Sequence, residues 1–186
     1  MQTTVISGSS RADNNTIRLA YAIAKQVPNT TVVDFKDYDI PFPNAGGVKL
    51  GNLTPFQANL LDAIEQSHVV IVLTPEYNWF PSAELINMVN QLATGEIIHK
   101  FDNKVFAFVG VSSGGGGRMP TIQLSYMFDK IFNVFNIASI TSPKIFEAKF
   151  IEKALDADGN SKGNHEFDKG LSDFLKYTQK IADRWH

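Results

Sequence analysis

Three short segments hold the residues whose types and spacing can do chemistry. The first is Ser7-Gly8-Ser9-Ser10-Arg11-Ala12-Asp13-Asn14-Asn15-Thr16, which leads straight into a helical pattern. The hydroxyls of Ser9 and Thr16, the Asn15 amide, unpaired N–H groups at a helix start and the forked Arg11 guanidinium together suit a phosphate, with Asn14 able to assist. The same residues also suit a plain turn and helix cap, where Ser and Asn are common. The segment has neither the Gly-Lys-Ser/Thr ending of a triphosphate loop nor the G-x-G-x-x-G of a dinucleotide fingerprint.

The second segment, Thr74-Pro75-Glu76-Tyr77-Asn78-Trp79-Phe80-Pro81-Ser82, stiffens three aromatic side chains between two prolines. Tyr77 or Trp79 can pack on a flat heterocycle while the Asn78 amide meets its polar edge. A rigid surface turn whose aromatics pack on the protein or on a second subunit would read the same way. The third, Ser112-Ser113-Gly114-Gly115-Gly116-Gly117-Arg118-Met119-Pro120, strips the side chains from four successive residues, so a flat ligand can approach the backbone closely. The alternative is a flexible linker. Arg118 either attracts the phosphates of an incoming nucleotide or is simply solvated or paired.

These segments need elements to carry them. Apolar, β-branched runs at Thr4–Ile6, Thr31–Val33, Val69–Leu73, Lys104–Val111 and Ile137–Ile140 read as five strands. The third and fourth barely alternate, as parallel strands covered on both faces require. Helical spacing appears over Asn15–Val27, from Thr54 to about Ser67, over Ser82–Leu92 and from Phe167 to Trp185. Thr54-Pro55-Phe56-Gln57 has the composition of a capping box with proline in the first turn. Strand and helix in alternation predict an α/β, flavodoxin-like doubly wound three-layer sandwich with a five-stranded parallel sheet in order 2-1-3-4-5. The ligand crevice of such a sheet lies at the strands' carboxyl ends where the winding reverses, so the three segments converge there.

Composition narrows the functional classes. A chain of 186 residues, 44% hydrophobic, suits a single domain over residues 1–186. A net charge of −2 offers no basic footprint for nucleic acid. With no cysteine, electron chemistry must sit on a bound cofactor or metal. No export signal or membrane-spanning run is visible, which makes the cytoplasm the default compartment. Asp156-Ala157-Asp158-Gly159-Asn160 has its glycine at position four and no glutamate at twelve, so it reads as a turn rather than a calcium loop. His68, His99, His165 and His186 are scattered in sequence, and no metal site is expected.

Taken together, the three segments resemble the NAD(P)H-dependent FMN reductase family, whose relatives include quinone, azo-dye and chromate reductases. Gly8-Ser9-Ser10-Arg11 followed by Asn14-Asn15-Thr16 is similar to that family's phosphate loop. Pro75-Glu76-Tyr77-Asn78 is similar to its flavin-ring loop and is the more specific motif. The resemblance implies that Ser9, Arg11, Asn15 and Thr16 hold the FMN phosphate. It implies further that Pro75, Glu76, Tyr77 and Asn78 line the ring, with Ser113, Gly114 and Gly115 flanking its other edge. Two positions depart from the pattern: Asn14 stands where relatives often carry serine, and Trp79-Phe80 follows Asn78 where a small residue, commonly glycine, is usual. The second departure is expected to reshape the acceptor pocket.

The implied activity moves a hydride from NADPH or NADH through FMN to a small acceptor: free flavin, a quinone, an azo compound or a metal oxyanion. Because one face of the ring must serve donor and acceptor in turn, ping-pong kinetics are expected, and no side chain is nominated as catalytic. Glu76 reads as a solvated or capping carboxylate rather than a base. Two other classes share the features: a flavodoxin-type electron carrier, which typically lacks an arginine in its phosphate loop and is markedly acidic, and a flavin-binding interaction module. A homodimer or higher homo-oligomer is expected, because aromatics beside a shallow site suit burial by a second subunit.

Overall fold

The computed structural model describes residues 1–186. In it β1 (Thr3–Ser7), β2 (Thr30–Asp34), β3 (Val69–Pro75) and β4 (Val105–Val111) form a parallel sheet. The strand order is β2-β1-β3-β4-β5, with the short β5 (Ile140–Thr141) on the far edge. The expected doubly wound topology is thus the observed one. The connecting helices are α1 (Asn15–Gln26), α2 (Pro55–Gln66), α3 (Ala83–Leu92) and α4 (Arg118–Phe135). After β5 the chain adds β6 (Phe146–Ala148), a one-turn α5 (Ile151–Ala154) and the long α6 (His165–Trp185). No helix is long and apolar enough to cross a membrane.

The two central strands are buried along their whole length, which explains their unbroken apolar sequence. Alternation still operates inside them. Val70, Val72, Phe106 and Phe108 join a core with α2, α3 and α4, whereas Val69, Ile71, Leu73, Val105, Ala107 and Val109 pack against α1 and α6. Phe128 and Phe132 of α4 meet the first set, with ring centroids 5.1 Å from Phe106 in each case. The Thr54 capping box forms as expected: the Thr54 hydroxyl accepts from Gln57 N at 3.2 Å, and the Gln57 side chain accepts from Thr54 N at 3.4 Å.

The far edge differs from the sequence expectation. Residues 137–139 are not strand, because they are committed to ending α4. Asn136 adopts a left-handed cap with φ 53°, Ile137 N donates to Phe132 O at 2.9 Å, and Ser139 Oγ donates to Phe101 O at 2.6 Å. Strand pairing starts only at Ile140 and is interrupted around Pro143, which has no N–H to donate. It resumes at β6, where Val109, Gly110 and Val111 pair with Phe146, Glu147 and Ala148. The fifth position in the sheet is therefore filled by two short strands on one edge of β4. α4 begins within the third segment, so Arg118, Met119 and Pro120 form its first turn.

Gly110 fixes how closely α4 approaches β4. A Cβ there would lie 1.8 Å from Gly117 O and 2.5 Å from Thr121 Oγ1, in the turn that starts the helix. Gly110→Ala is expected to lose about 2 kcal/mol of stability through overpacking, read as a lower urea midpoint. A midpoint equal to wild type would show that the helix start yields freely.

Candidate functional site

The carboxyl ends of β1, β3 and β4 open into a polar cleft of about 190 Å³. Of the residues expected there, Ser9, Arg11, Asn15, Pro75, Glu76, Tyr77 and Ser113 line it. Thr16, Asn78, Gly114 and Gly115 sit in the same three loops without lining it.

The first loop departs from β1 under tight constraint. Gly8 N donates to Leu73 O at 3.0 Å, and Ser82 Oγ, at the start of α3, donates to Gly8 O at 2.6 Å. A Cβ at Gly8 would meet Leu85 Cδ1 at 2.4 Å and Leu73 O at 2.8 Å, so only glycine fits. The chain then doubles back to α1, whose cap is Asn14. Asn14 Oδ1 accepts from Ile17 N at 2.8 Å and from the Thr16 hydroxyl at 2.6 Å, while its Nδ2 donates to Arg11 O at 2.8 Å. The Thr16 hydroxyl is wholly buried beneath the loop, also 2.8 Å from Ser7 Oγ. Asn14 and Thr16 therefore shape the loop from within. The N–H groups of Ser9, Ser10, Asn15 and Thr16 make no hydrogen bond inside the protein, leaving unpaired donors at the N-terminus of a 12-residue helix.

The second loop is bound to the first through Tyr77. Its hydroxyl lies 3.1 Å from Ser9 Oγ, and the Arg11 guanidinium stands over its ring, 5.5 Å from the centroid. Tyr77 and Phe80 exchange two backbone hydrogen bonds of 3.1 Å, closing a two-residue hairpin over Asn78 and Trp79. Both central residues have positive φ, 51° and 69°. This is the geometry that selects Asn-Gly, so the tryptophan is the strained member of the pair. Its side chain is 70% exposed and Phe80 is 57% exposed.

The third loop is fastened rather than slack. Ser112 N donates to Ala148 O at 3.0 Å, Gly114 N to Ser112 Oγ at 3.0 Å, and Phe150 N to Gly114 O at 2.9 Å. The Glu76 carboxylate rests against the glycine run, where a Cβ on Gly116 would come within 1.7 Å of Oε2. Arg118 points elsewhere: it pairs with Glu147 at 3.1 Å, and Lys149 joins from the other side at 2.9 Å. Burial would raise the Glu147 carboxyl, but the hydrogen bonds from Lys149 and Arg118 outweigh it and hold the group below its ordinary range.

Four further polar residues line the cleft that the sequence reading did not nominate: Asp13, Arg18, Ser112 and Glu152. Asp13 and Arg18 pair across the start of α1 at 3.7 Å. Glu152, on α5, accepts from Asn15 Nδ2 at 2.7 Å. The first three stand in or next to motifs already marked, but Glu152 is 137 residues from its partner and has no local signal.

Over residues 1–145 the sequence matches the family described as NADPH-dependent FMN reductase. The chain belongs to that family. Membership makes it a flavin-linked oxidoreductase, and an enzyme rather than a passive carrier. Comparison with curated proteins returns no match. Among solved structures, FerB, a flavoenzyme NAD(P)H:(acceptor) oxidoreductase from Paracoccus denitrificans, is similar at 19% identity and TM-score 0.63, with 99% of this chain and 94% of that chain covered. The general stress protein 14 from Treponema denticola, in complex with FMN, is 14% identical with TM-score 0.57, covering 97% and 99%. A flavodoxin from the domain Archaea is 14% identical with TM-score 0.52, covering 100% and 99%. At these identities the structural likeness is one of fold, and the fold is flavodoxin-like.

Trp79→Gly is expected to stabilise the protein by about 1 kcal/mol by relieving the left-handed conformation, seen as a rise in Tm. A fall in Tm would mean that Trp79 makes packing contacts worth more than its backbone strain.

Proposed function

We propose that residues 1–186 act as one domain that binds FMN in the cleft and passes reducing equivalents from NADPH or NADH to a small oxidised acceptor. The observation that carries this reading is the convergence of the three loops at the carboxyl ends of β1, β3 and β4, in a chain of the FMN reductase family. The residues present fit such a ligand. Unpaired N–H donors at the start of α1, together with Ser9, Arg11 and Asn15, supply a phosphate seat. Thr16 contributes its backbone N–H, since its hydroxyl is committed inside the loop. Tyr77 and the Pro75–Glu76 backbone form one wall for a flat ring, and the Asn78 amide stands free at the hairpin tip. Ser113 lines the facing side, and Gly114 and Gly115 next to it in the loop carry no side chain that would hold a flat ring away.

FMN, when bound, supplies the hydride and electron chemistry. The protein's part is to bind and orient. Arg11 can leave the Tyr77 ring for the phosphate, because nothing but that stacking contact holds its side chain. Hydride transfer through the flavin requires no obligatory acid or base, so none of the cleft's side chains is assigned that part.

The same reading includes a second copy of the chain. Met119, Ile122 and Tyr126 are exposed at i, i+3 and i+7 on α4, forming an apolar stripe on the helix that follows the glycine loop. With Trp79 and Phe80 exposed as well, the site end of the molecule carries apolar surface suited to a homodimer or higher homo-oligomer.

Two measurements test this function. Initial rates of NADPH or NADH oxidation at several fixed quinone concentrations are expected to give parallel double-reciprocal lines; intersecting lines would contradict a shared face. Arg11→Ala is expected to weaken FMN binding about tenfold, about 1.4 kcal/mol, by quenching of FMN fluorescence. Unchanged affinity would remove Arg11 from the phosphate seat.

A further inference from the structure

The phosphate seat is partly taken by the protein's own carboxylate. Glu152 lines the cleft and its Oε1 accepts from Asn15 Nδ2 at 2.7 Å, on an amide that faces the same space as the unpaired N–H groups of α1. The cleft's two cations are engaged elsewhere, Arg11 over the Tyr77 ring and Arg18 with Asp13. Glu152 forms no ion pair, so its charge stands in the cleft uncompensated. Counted over its lining, the cleft holds two arginines against Asp13, Glu76 and Glu152, an acidic balance for a place meant to receive a phosphate.

The carboxylate is presented there by backbone, not by chance reach of a surface side chain. Phe150 N to Gly114 O and Ile151 N to Ser112 O fasten the start of α5 to the glycine loop, and Lys162 Nζ donates to Glu152 O at 2.8 Å. The side chain itself is exposed and free to turn outward. A phosphate monoester carries about −1.5 to −2 charges at neutral pH. It cannot share the Asn15 amide with a carboxylate without strong repulsion.

Resting on the flavin reading above, we propose that Glu152 is a built-in competitor for the phosphate seat, which FMN must displace and which keeps bound FMN exchangeable. The residue determines specificity as well as affinity, since its charge opposes the phosphate and not the ring or the ribityl chain. Glu152→Gln keeps the size and the acceptor oxygen while removing the charge. Glu152→Ala removes both, and neither touches the core.

The test is titration of apoprotein with FMN and, separately, with riboflavin, followed by flavin fluorescence at low and high salt. Both variants are expected to bind FMN on the order of tenfold more tightly than wild type at low salt, with a smaller gain at high salt and no gain for riboflavin. Equal or weaker FMN binding by the variants, or an equal gain for riboflavin, would overturn the role of Glu152 while leaving the flavin site standing. FMN that binds neither wild type nor variants would overturn the flavin reading and this proposal together.

Discussion

Each of the three site loops leaves the sheet through one more backbone hydrogen bond to the neighbouring strand. Gly8 N reaches Leu73 O, Glu76 N reaches Val111 O, and Ser112 N reaches Ala148 O. The parallel ladder thus continues a residue past the ends of β1, β3 and β4, and the loops begin from a common rigid edge. Everything at the site depends on this. The helix dipole of α1, the Tyr77 hairpin and the glycine run are aimed by where those last ladder bonds place them. Gly8 and Gly110 belong to the same constraint, because side chains at either position would push the flanking helices off the edge.

Much of the fold was legible because burial on both faces leaves a strong trace in sequence. The runs at Val69–Leu73 and Lys104–Val111 announced central parallel strands, and Thr54 to Gln57 announced the start of α2. The far edge was not legible in the same way. Ile137 looks like the first residue of a strand, yet the left-handed Asn136 before it and the hydrogen bond from its own N–H to Phe132 O commit it to closing the end of α4. β6 is only three residues long, and its apolar content gives no period to read.

At the site, the loops could be found from residue type, but the direction of side chains could not. Thr16 and Asn14 have the chemistry of phosphate ligands and spend it on each other, a local hydrogen-bonding choice that depends on how the chain doubles back. Arg118 has the charge to attract a nucleotide and gives it to Glu147 and, through that carboxylate, to a cluster with Lys149. Glu152 was out of reach of sequence reasoning altogether, because its contact with Asn15 is made by topology across 137 residues. Trp79 is the reverse case. Its departure from the family's usual small residue was visible in sequence, and the structure supplies the reason for that preference: the hairpin puts position 79 at φ 69°.

The central claim is that the three loops form one FMN site. Titration of the isotopically labelled protein with FMN, followed by its backbone amide resonances, tests it most directly. The account predicts that the largest shifts fall together on Ser9, Asn15, Tyr77 and Ser113 and their neighbours, saturating with a single affinity. Shifts confined to one of the loops, or centred away from the carboxyl ends of β1, β3 and β4, would contradict it.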